Sequence, residues 1–562
     1  MPKYPTKELA QLVIASCIVN EIEHIVISPG SRNAPLIIGF NVSKKIKIES
    51  VVDERSAAFF ALGIAQQTRK PVALVCTSGS ALLNYYPAIS EAFYSNIPLV
   101  IISADRPANL IDVGDGQTIR QENVFENHIL FSANLGYEND SELIEKALHT
   151  AINKKGPVHI NVPFEDPLYE IITIENIEAE VEKLKSKIVK IEEKSLLKEI
   201  PLDVDELQKF ADIWNASAKK MVLVGEHFPD ELLQIQLEYL AKDPSVLVLI
   251  ENTANVSHPK FVNSIDKLIF PFVEDELEEF KPDILLTIGG MIVSKKIKEQ
   301  LRNYKPKHHW HADALRAYDT FHCLEHHFKV SPQLFFSQFF FLTKSKESNY
   351  QHFWLYKKEF RLQKHQEFME TCTFSDLKVF DIVLASVPNH TQLQLGNSSV
   401  IRYAQLFDSN KTWRIFCNRG TSGIDGSTST AIGAAYAVKE STLFISGDIS
   451  FIYDSNALWN NYIPNNFRII VINNGGGGIF RFIPGPQQSG ALDYFETPHQ
   501  LTAEYLCKMY HFEYNTAKDE VELNQQLSNF YEDSSLPKLL EIFTPRLEND
   551  QILKAYFNNL KA

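Results

Sequence analysis

Two polar turns near the C-terminus carry the residue types of a metal–phosphate anchor. Gly447-Asp448-Ile449 follows the strand-like run 442–445, and Asn473-Asn474-Gly475-Gly476 follows 467–472. The stretch 455–462 between them reads as helix, giving a βαβ unit whose right-handed crossover leaves its strands parallel. Both turns then emerge at the carboxyl ends of strands, where open α/β sheets bind ligands. Neighbouring strands lie about 5 Å apart, so the Asp448 carboxylate and the Asn474 amide oxygen can reach one ion, joined by the Gly476 carbonyl. Three hard oxygen donors make half an octahedron, which Mg²⁺ completes with phosphate oxygens and water; Mn²⁺ suits the same donors. The glycine run 475–478 fits a backbone that approaches a ligand closely. No G-x-G-x-x-G follows a strand in the right place, which leaves a dinucleotide site little support.

This Gly-Asp…Asn-Asn spacing resembles the cofactor fingerprint of thiamine-diphosphate (ThDP) enzymes. ThDP chemistry needs a carboxylate beside the aminopyrimidine ring. Asp53-Glu54 stands at a strand end just before an apolar helix. Two readings of that pair stand side by side. Acidic residues in a first turn favour the helix macrodipole; alternatively, Glu54 sits in a dry pocket with a raised pKa, ready to protonate a cofactor ring nitrogen.

The elements that must position these groups alternate along the chain. In 1–170, strands are expected at 24–28, 48–52, 72–77, 99–103 and 158–162, with helices at 7–20, 56–68, 81–94 and 141–153. Short apolar runs alternating with amphipathic helices imply a parallel sheet covered on both faces. From about 175 to 200 the composition shifts to Glu, Lys and Ile, read here as a charged interdomain linker with little tertiary burial. A second block has strands at 221–224, 246–250, 284–288 and 309–312. A Lys- and aromatic-rich segment, about 343–368, leads to a third with strands at 394–395, 414–417, 442–445, 467–472 and 538–543. The fold class is therefore α/β, with three doubly wound parallel-sheet domains: 1–175, then a linker at 176–205, then 206–345 and 346–562.

Composition narrows the functional class. At 562 residues, three or four domains are the natural expectation. A net charge of −15 disfavours a nucleic-acid or anionic-membrane partner, so an anionic substrate requires a local cluster of Arg or Lys. Six scattered cysteines without C-x-x-C indicate neither a disulfide framework nor a zinc ribbon. With no signal peptide and no membrane-length apolar run, cytoplasm is the expected compartment.

A wider resemblance rests on eight stretches in the two outer blocks. They are Ser28-Pro-Gly-Ser-Arg32, Asp53-Glu-Arg55, Thr77-Ser-Gly79, Ala104-Asp-Arg-Pro107, Gly116-Gln-Thr-Ile-Arg-Gln121, Gly396-Asn-Ser398, Asn418-Arg-Gly-Thr-Ser-Gly-Ile-Asp-Gly426 and Gly447-Asp-Ile-Ser450. Together, in this order, the chain resembles the 2-succinyl-5-enolpyruvyl-6-hydroxy-3-cyclohexene-1-carboxylate (SEPHCHC) synthases of menaquinone biosynthesis. The resemblance implies a ThDP-binding fold, with an N-terminal pyrimidine-binding (Pyr) domain, a central domain and a diphosphate-binding (PP) domain. It also implies a transferase that decarboxylates 2-oxoglutarate and adds the succinyl carbanion equivalent to isochorismate in a 1,4-addition, releasing CO₂.

The same resemblance assigns roles. Glu54 matches the cofactor-activating glutamate and Ile424 the aliphatic residue that holds ThDP bent. Asp448, Asn474 and Gly476 match the metal ligands. Thr77, Ser78 and Gly79, Gly447, Ile449 and Ser450, and Ile479 and Phe480 complete the cofactor contacts. Substrates with two carboxylates each call for cationic forks, matched by Arg32, Arg106, Arg402 and Arg419 with Ser31, Gln117 and Ser398, and by Lys295 after Gly289-Gly290. Ile479, Phe480 and Phe482 would wall the site against water. Because the family binds ThDP between subunits, a homodimer or homotetramer with interfacial sites is expected.

Two features depart from the pattern or distract from it. Ile449 stands where many ThDP enzymes have Gly, and Gly477-Gly478 carries no side chain to contact cofactor or substrate. The histidines at 308, 309, 311, 322, 326 and 327, with Cys323, are loosely metal-like, yet no ligand pair recurs at zinc spacing. The alternatives are another ThDP-dependent 2-oxoacid decarboxylase or carboligase, and a catalytically silent homologue. Retention of Glu54, Asp448 and Asn474 together argues against the latter.

Overall fold

A computed structural model describes residues 1–186, 188 and 199–561. Three six-stranded sheets, every pairing within them parallel, follow one another along the chain. In space the first runs Lys47–Ser50, His24–Ile27, Val72–Cys76, Leu99–Asp105, Val158–Pro163, Ser132–Asn134. The third runs Arg414–Cys417, Gln392–Leu395, Thr442–Gly447, Phe467–Asn473, Lys538–Phe543, Glu513–Ala517. Numbered by sequence within each sheet, both have the order 2-1-3-4-6-5, whereas the middle sheet is 3-2-1-4-5-6. Central strands such as Val72–Cys76 and Phe467–Asn473 are buried along their whole length, which explains their unbroken apolar runs.

The strand order locates the binding crevices. In a 2-1-3-4-6-5 sheet the direction of winding reverses between strands 1 and 3, and ligands bind beyond the carboxyl ends there. In the first sheet those two strands lead into Ser28-Pro-Gly-Ser-Arg32 and Thr77-Ser-Gly79; in the third they lead into Gly396-Asn-Ser398 and Gly447-Asp448. The motifs lie where the topology puts a ligand.

The outer units meet through two helices. Glu54–Thr68, buried almost throughout, packs against Ser427–Ala437. The helix Tyr350–Thr371 ties the middle and third sheets together. Trp354 near its start packs with Phe272 and Phe280 under the middle sheet, while His365 further on bonds the Tyr556 hydroxyl at 2.9 Å.

Several elements differ from the expected ones. The segment expected at 455–462 as helix is instead the helix Asp448–Tyr453, beginning directly at the strand end, followed by the 3₁₀ turn Ser455–Leu458. The helix at 81–94 is split into Ala81–Asn84 and Tyr86–Tyr94, with Pro87 in the first turn of the second piece. Within the charged segment, Ile177–Leu184 is a helix capped by Asn176, and it buries Ile177 and Val181 beside Glu8–Val19. Tertiary burial there exceeds expectation; residues 187 and 189–198 lie outside the described residues. The short edge strands Ser132–Asn134, Phe261–Val262, His326–Phe328 and Glu513–Ala517 had no sequence signal, and Lys3–Pro5 pairs antiparallel with Ile171–Thr173.

Candidate active site

The strands Thr442–Gly447 and Phe467–Asn473 are neighbours in register, Gly447 facing Ile472, so the two polar turns leave the sheet side by side. Asp448, 3% exposed, opens the helix that follows. One carboxylate oxygen accepts the Ile449 N–H at 2.7 Å and the other the Gly476 N–H at 3.0 Å. Asn474, 9% exposed, donates its amide NH₂ to Asp376 Oδ2 at 2.9 Å, which leaves its own Oδ1 buried without a partner. The Gly476 carbonyl accepts the Gly478 N–H at 2.9 Å and keeps a second lone pair.

The glycine run has physical causes. Gly475 and Gly476 have φ of 73° and 153°, and a Cβ on Gly476 would stand 2.8 Å from the Glu496 carbonyl oxygen. A Cβ on Gly478 would stand 2.9 Å from Asn474 Nδ2. Glu496 anchors the run: its carbonyl takes the Gly477 N–H at 2.7 Å, and its carboxylate grips Arg481 and Arg546. Burial raises that carboxyl, but hydrogen bonds from Arg546 and Arg481 carry it below the usual range. The donor set of a hard cation is thus present: a carboxylate, an orphaned amide oxygen and a carbonyl. His499, 3.2 Å from Asp448 Oδ2, has its imidazole pKa raised by that carboxylate.

A cleft of about 650 Å³ adjoins this turn between the middle and third sheets. It brings together the expected residues Lys295, Arg402, Ile479 and Phe482 with Asp376 and Gly478. Ser398, at φ 68°, accepts a hydrogen bond from Arg402 through its carbonyl. Arg419 is buried, donates to Asn397 Oδ1 at 2.7 Å and leaves its Nε–H without a partner. Burial, then the neighbouring Arg419, lowers the Arg402 pKa. Ile424 lies in the same loop, its carbonyl held by Ser450 Oγ at 2.8 Å. Ile449 is half-buried in the first turn of the helix Asp448–Tyr453, and Phe480 packs on Phe495 with ring centroids 5.5 Å apart.

The remaining expected residues gather on the first sheet. Asp53 caps the helix Glu54–Thr68 by accepting the Ser56 N–H at 2.9 Å, so the capping role belongs to Asp53. Glu54 is half-buried; burial raises its pKa, and its side-chain partner is Asn84 at 3.4 Å. The Thr77–Gly79 turn is braced from three sides. Thr77 Oγ1 accepts the Arg32 N–H at 3.3 Å, Ser78 Oγ donates to the Gln117 carbonyl at 2.9 Å, and the Gly79 N–H donates to Gln121 at 2.9 Å. Arg32 is buried against the Phe164 carbonyl and Asp166, and Arg106 pairs with Asp115 at 2.9 Å while its Nε–H is buried without a partner. Ser31 and Gln117 are exposed. Among the described residues, Glu54 and the Thr77–Gly79 turn make no hydrogen bond or ion pair with Asp448, Asn474 or Gly476, although beside them Arg55 donates to the Tyr453 carbonyl at 2.9 Å and Asn456 donates to Asp53 at 2.8 Å.

Residues that sequence reasoning missed hold the site from behind. Glu91, 1% exposed, accepts the Gly420 and Thr421 N–H groups at 2.7 Å each and the Thr421 hydroxyl at 2.8 Å. Asp376 and His499 flank the metal-type donors, and Gln121 holds Gly79. The one available hint was Glu91 itself, an acid on the otherwise apolar face of Tyr86–Tyr94. The histidines fall elsewhere: His309 and His311 share Thr287 Oγ1 at 3.0 and 2.8 Å, and burial pushes both down to about 4.

Comparison with known proteins bears on this arrangement. Residues 7–129 match the family described as thiamine pyrophosphate enzyme, N-terminal TPP binding domain. The chain is 54% identical to the 2-succinyl-5-enolpyruvyl-6-hydroxy-3-cyclohexene-1-carboxylate synthase of Flavobacterium psychrophilum, over 99% of this chain and 100% of that one. It is also 54% identical to the enzyme of the same name from Flavobacterium johnsoniae, with the same coverage. At 37% identity it matches the one from Porphyromonas gingivalis over 96% of this chain and 95% of the relative. Among the described residues no helix is long and apolar enough to cross a membrane.

Proposed function

The chain belongs to the SEPHCHC synthase family of ThDP enzymes, and from that premise we propose that it joins 2-oxoglutarate, with loss of CO₂, to isochorismate at a site anchored by Mg²⁺ or Mn²⁺. The observation that carries the metal anchor is the buried, partnerless Asn474 Oδ1 beside the Asp448 carboxylate at adjoining strand ends. Bound ThDP supplies the carbon nucleophile and the electron sink for decarboxylation.

The chain's own residues do the rest. Asp448, Asn474 and the Gly476 carbonyl would hold the cation, with Gly447, Ile449 and Ser450 beside the diphosphate and Ile424 against the cofactor. Thr77, Ser78 and Gly79 would meet the ring portion. Glu54, whose carboxyl burial already lifts, would exchange a proton with the cofactor's ring nitrogen. Arg32, Arg106, Lys295, Arg402 and Arg419 answer the substrate carboxylates, with Ser31, Gln117 and Ser398 as neutral partners. The orphaned Nε–H groups of Arg106 and Arg419 are donors that an anion would satisfy. Ile479, Phe480 and Phe482 exclude the water that would otherwise protonate the reactive carbon before it meets its acceptor.

The two residue groups belong to different copies in this reading. Exposed apolar side chains lie close to Glu54: Val52 two residues before it, Leu83 next to its partner Asn84, and Tyr453 under Arg55 are 45%, 41% and 53% exposed. Such a patch beside a functional group fits an interface with a second copy, so a homodimer or a homotetramer built from such dimers is the active form. The divisions 1–175, 206–345 and 346–562 then correspond to Pyr, central and PP domains joined by 176–205. The six cysteines are all free, which suits the cytoplasm.

The test follows isochorismate absorbance with purified protein, ThDP, Mg²⁺ and 2-oxoglutarate, alongside Glu54→Gln. Consumption that needs every component and collapses in the variant supports the reading. Release of CO₂ with isochorismate unchanged would replace it with a decarboxylase.

A further inference from the structure

An amide ligand has two ends, and a metal can use only one of them. Asn474 presents a cation with its Oδ1 only if something holds the NH₂ end away. The Asp376 carboxylate stands on that other side, with Oδ2 2.9 Å from Asn474 Nδ2. Both Asp376 oxygens act as acceptors here, Oδ1 toward Thr544 and Oδ2 toward the Asn474 NH₂, so rotating the amide would set two oxygens against each other in a buried space. Asp376 is itself fixed. It is 3% exposed, Thr544 Oγ1 donates to its Oδ1 at 2.6 Å, and its backbone N–H donates to Asn549 Oδ1 at 2.8 Å. It opens the helix Asp376–Ser386. Gly478 leaves the room the amide needs, since a Cβ there would stand 2.9 Å from Asn474 Nδ2.

We propose that Asp376 is a positioning residue for the metal site: it locks the Asn474 amide with Oδ1 toward the cation and Nδ2 away, so that the oxygen is pre-aimed. The inference rests on the metal-anchor reading given above. Asp376 does not touch the cation. Thr544 acts one step further back, by holding the Asp376 carboxylate against rotation. Partners of metal ligands commonly change metal affinity by about 10- to 100-fold when removed.

Asp376→Asn tests this, because the new amide can offer its own NH₂ to Asn474 and so permits the wrong orientation. Mn²⁺ binding is measured by electron paramagnetic resonance titration at saturating ThDP, beside thermal unfolding and turnover at rising Mn²⁺. The expected result is a Mn²⁺ dissociation constant about 10- to 100-fold above wild type, with kcat recovering to near wild type once Mn²⁺ saturates. A dissociation constant unchanged from wild type overturns the proposal, as does a kcat that stays lost at saturating Mn²⁺, which would make Asp376 more than a positioning group. Thr544→Val provides a milder second variant should Asp376→Asn not fold, with a shift in the same direction of about 3- to 10-fold; no shift in it overturns the proposal too. Failure of the wild-type protein to bind Mn²⁺ would instead remove the metal-anchor reading, and this inference with it.

Discussion

Gly63 lies directly against the Thr430 carbonyl oxygen, and Gly433 in turn lies against that of Phe60. The two glycines let the helix that begins with Glu54 and the helix that follows the Arg419 loop approach backbone to backbone. A Cβ on either would overlap a carbonyl oxygen that cannot yield without moving the helix. Gly63→Ala or Gly433→Ala should therefore destabilise the protein by about 1–3 kcal/mol or more, despite Ala's better helix propensity. Urea unfolding followed by circular dichroism checks this; a midpoint at or above wild type would show that the helices can separate freely.

Glu91 and the Arg419 loop form the second link between the outer units. Three donors from Gly420 and Thr421 converge on one buried carboxylate, so Glu91→Ala strands two backbone N–H groups and a hydroxyl. The guanidinium one residue away then loses its fixed position. The expected outcome is a rise of about tenfold in KM for the substrate whose carboxylate Arg419 meets, equivalent to about 1.4 kcal/mol. Glu91→Gln, which keeps one acceptor oxygen, should fall between. Steady-state kinetics with each substrate varied in turn would show it, and unchanged KM values for both would sink the idea.

Some of this was legible in the chain and some was not, for physical reasons. The central strands announce themselves because burial on both faces demands unbroken apolar runs. The motifs could be placed at strand ends because the same runs stop at them. Edge strands escape this logic: Glu513–Ala517 is exposed or half-buried along most of its length and reads as polar. Glu91 showed only as an acid on an apolar helix face, and Asp376 not at all, for another reason. Their partners lie 329 and 98 residues away along the chain, so no local pattern connects them. The donor set around Asp448 was readable because a single crossover brings it together; the groups that hold it from behind come from other parts of the fold.

Burial also sets a pH dependence. Asp454 is fully buried, with Ser429 N–H and Oγ as partners at 2.7 and 3.1 Å, and burial pushes its carboxyl from 3.8 up to about 7. The folded protein therefore holds a proton that the unfolded chain has released. The stability this contributes is complete below the unfolded value and is lost as pH rises toward the folded one, a loss of up to about 1.4 kcal/mol per pH unit in that window. Glu251, raised to about 7 chiefly by burial, acts in the same direction. Asp454→Asn should flatten the fall in unfolding free energy between pH 5 and about 7, measured by urea denaturation across that range. An unchanged slope would mean that Asp454 ionises in the folded state much as it does in the unfolded chain.

Separation of the two residue groups makes a prediction about sharing between copies. On the proposed roles, Glu54→Gln should abolish turnover by removing the proton donor, and Asp448→Asn by weakening the proposed cation site. If each active site takes Glu54 from one copy and Asp448 from the other, mixing the two inactive variants creates hybrids with one intact site and one doubly altered site. Random exchange makes half of the dimers hybrid, so activity should return to about a quarter of wild type. If both residues served a site within one chain, every site in every mixture would carry a lesion, and nothing would return. The mixed sample must first be dissociated and reassembled, with exchange confirmed by native mass spectrometry. Recovery near a quarter then requires that the apolar surface around Glu54, with Val52, Leu83 and Tyr453, be covered by the second copy that completes the site.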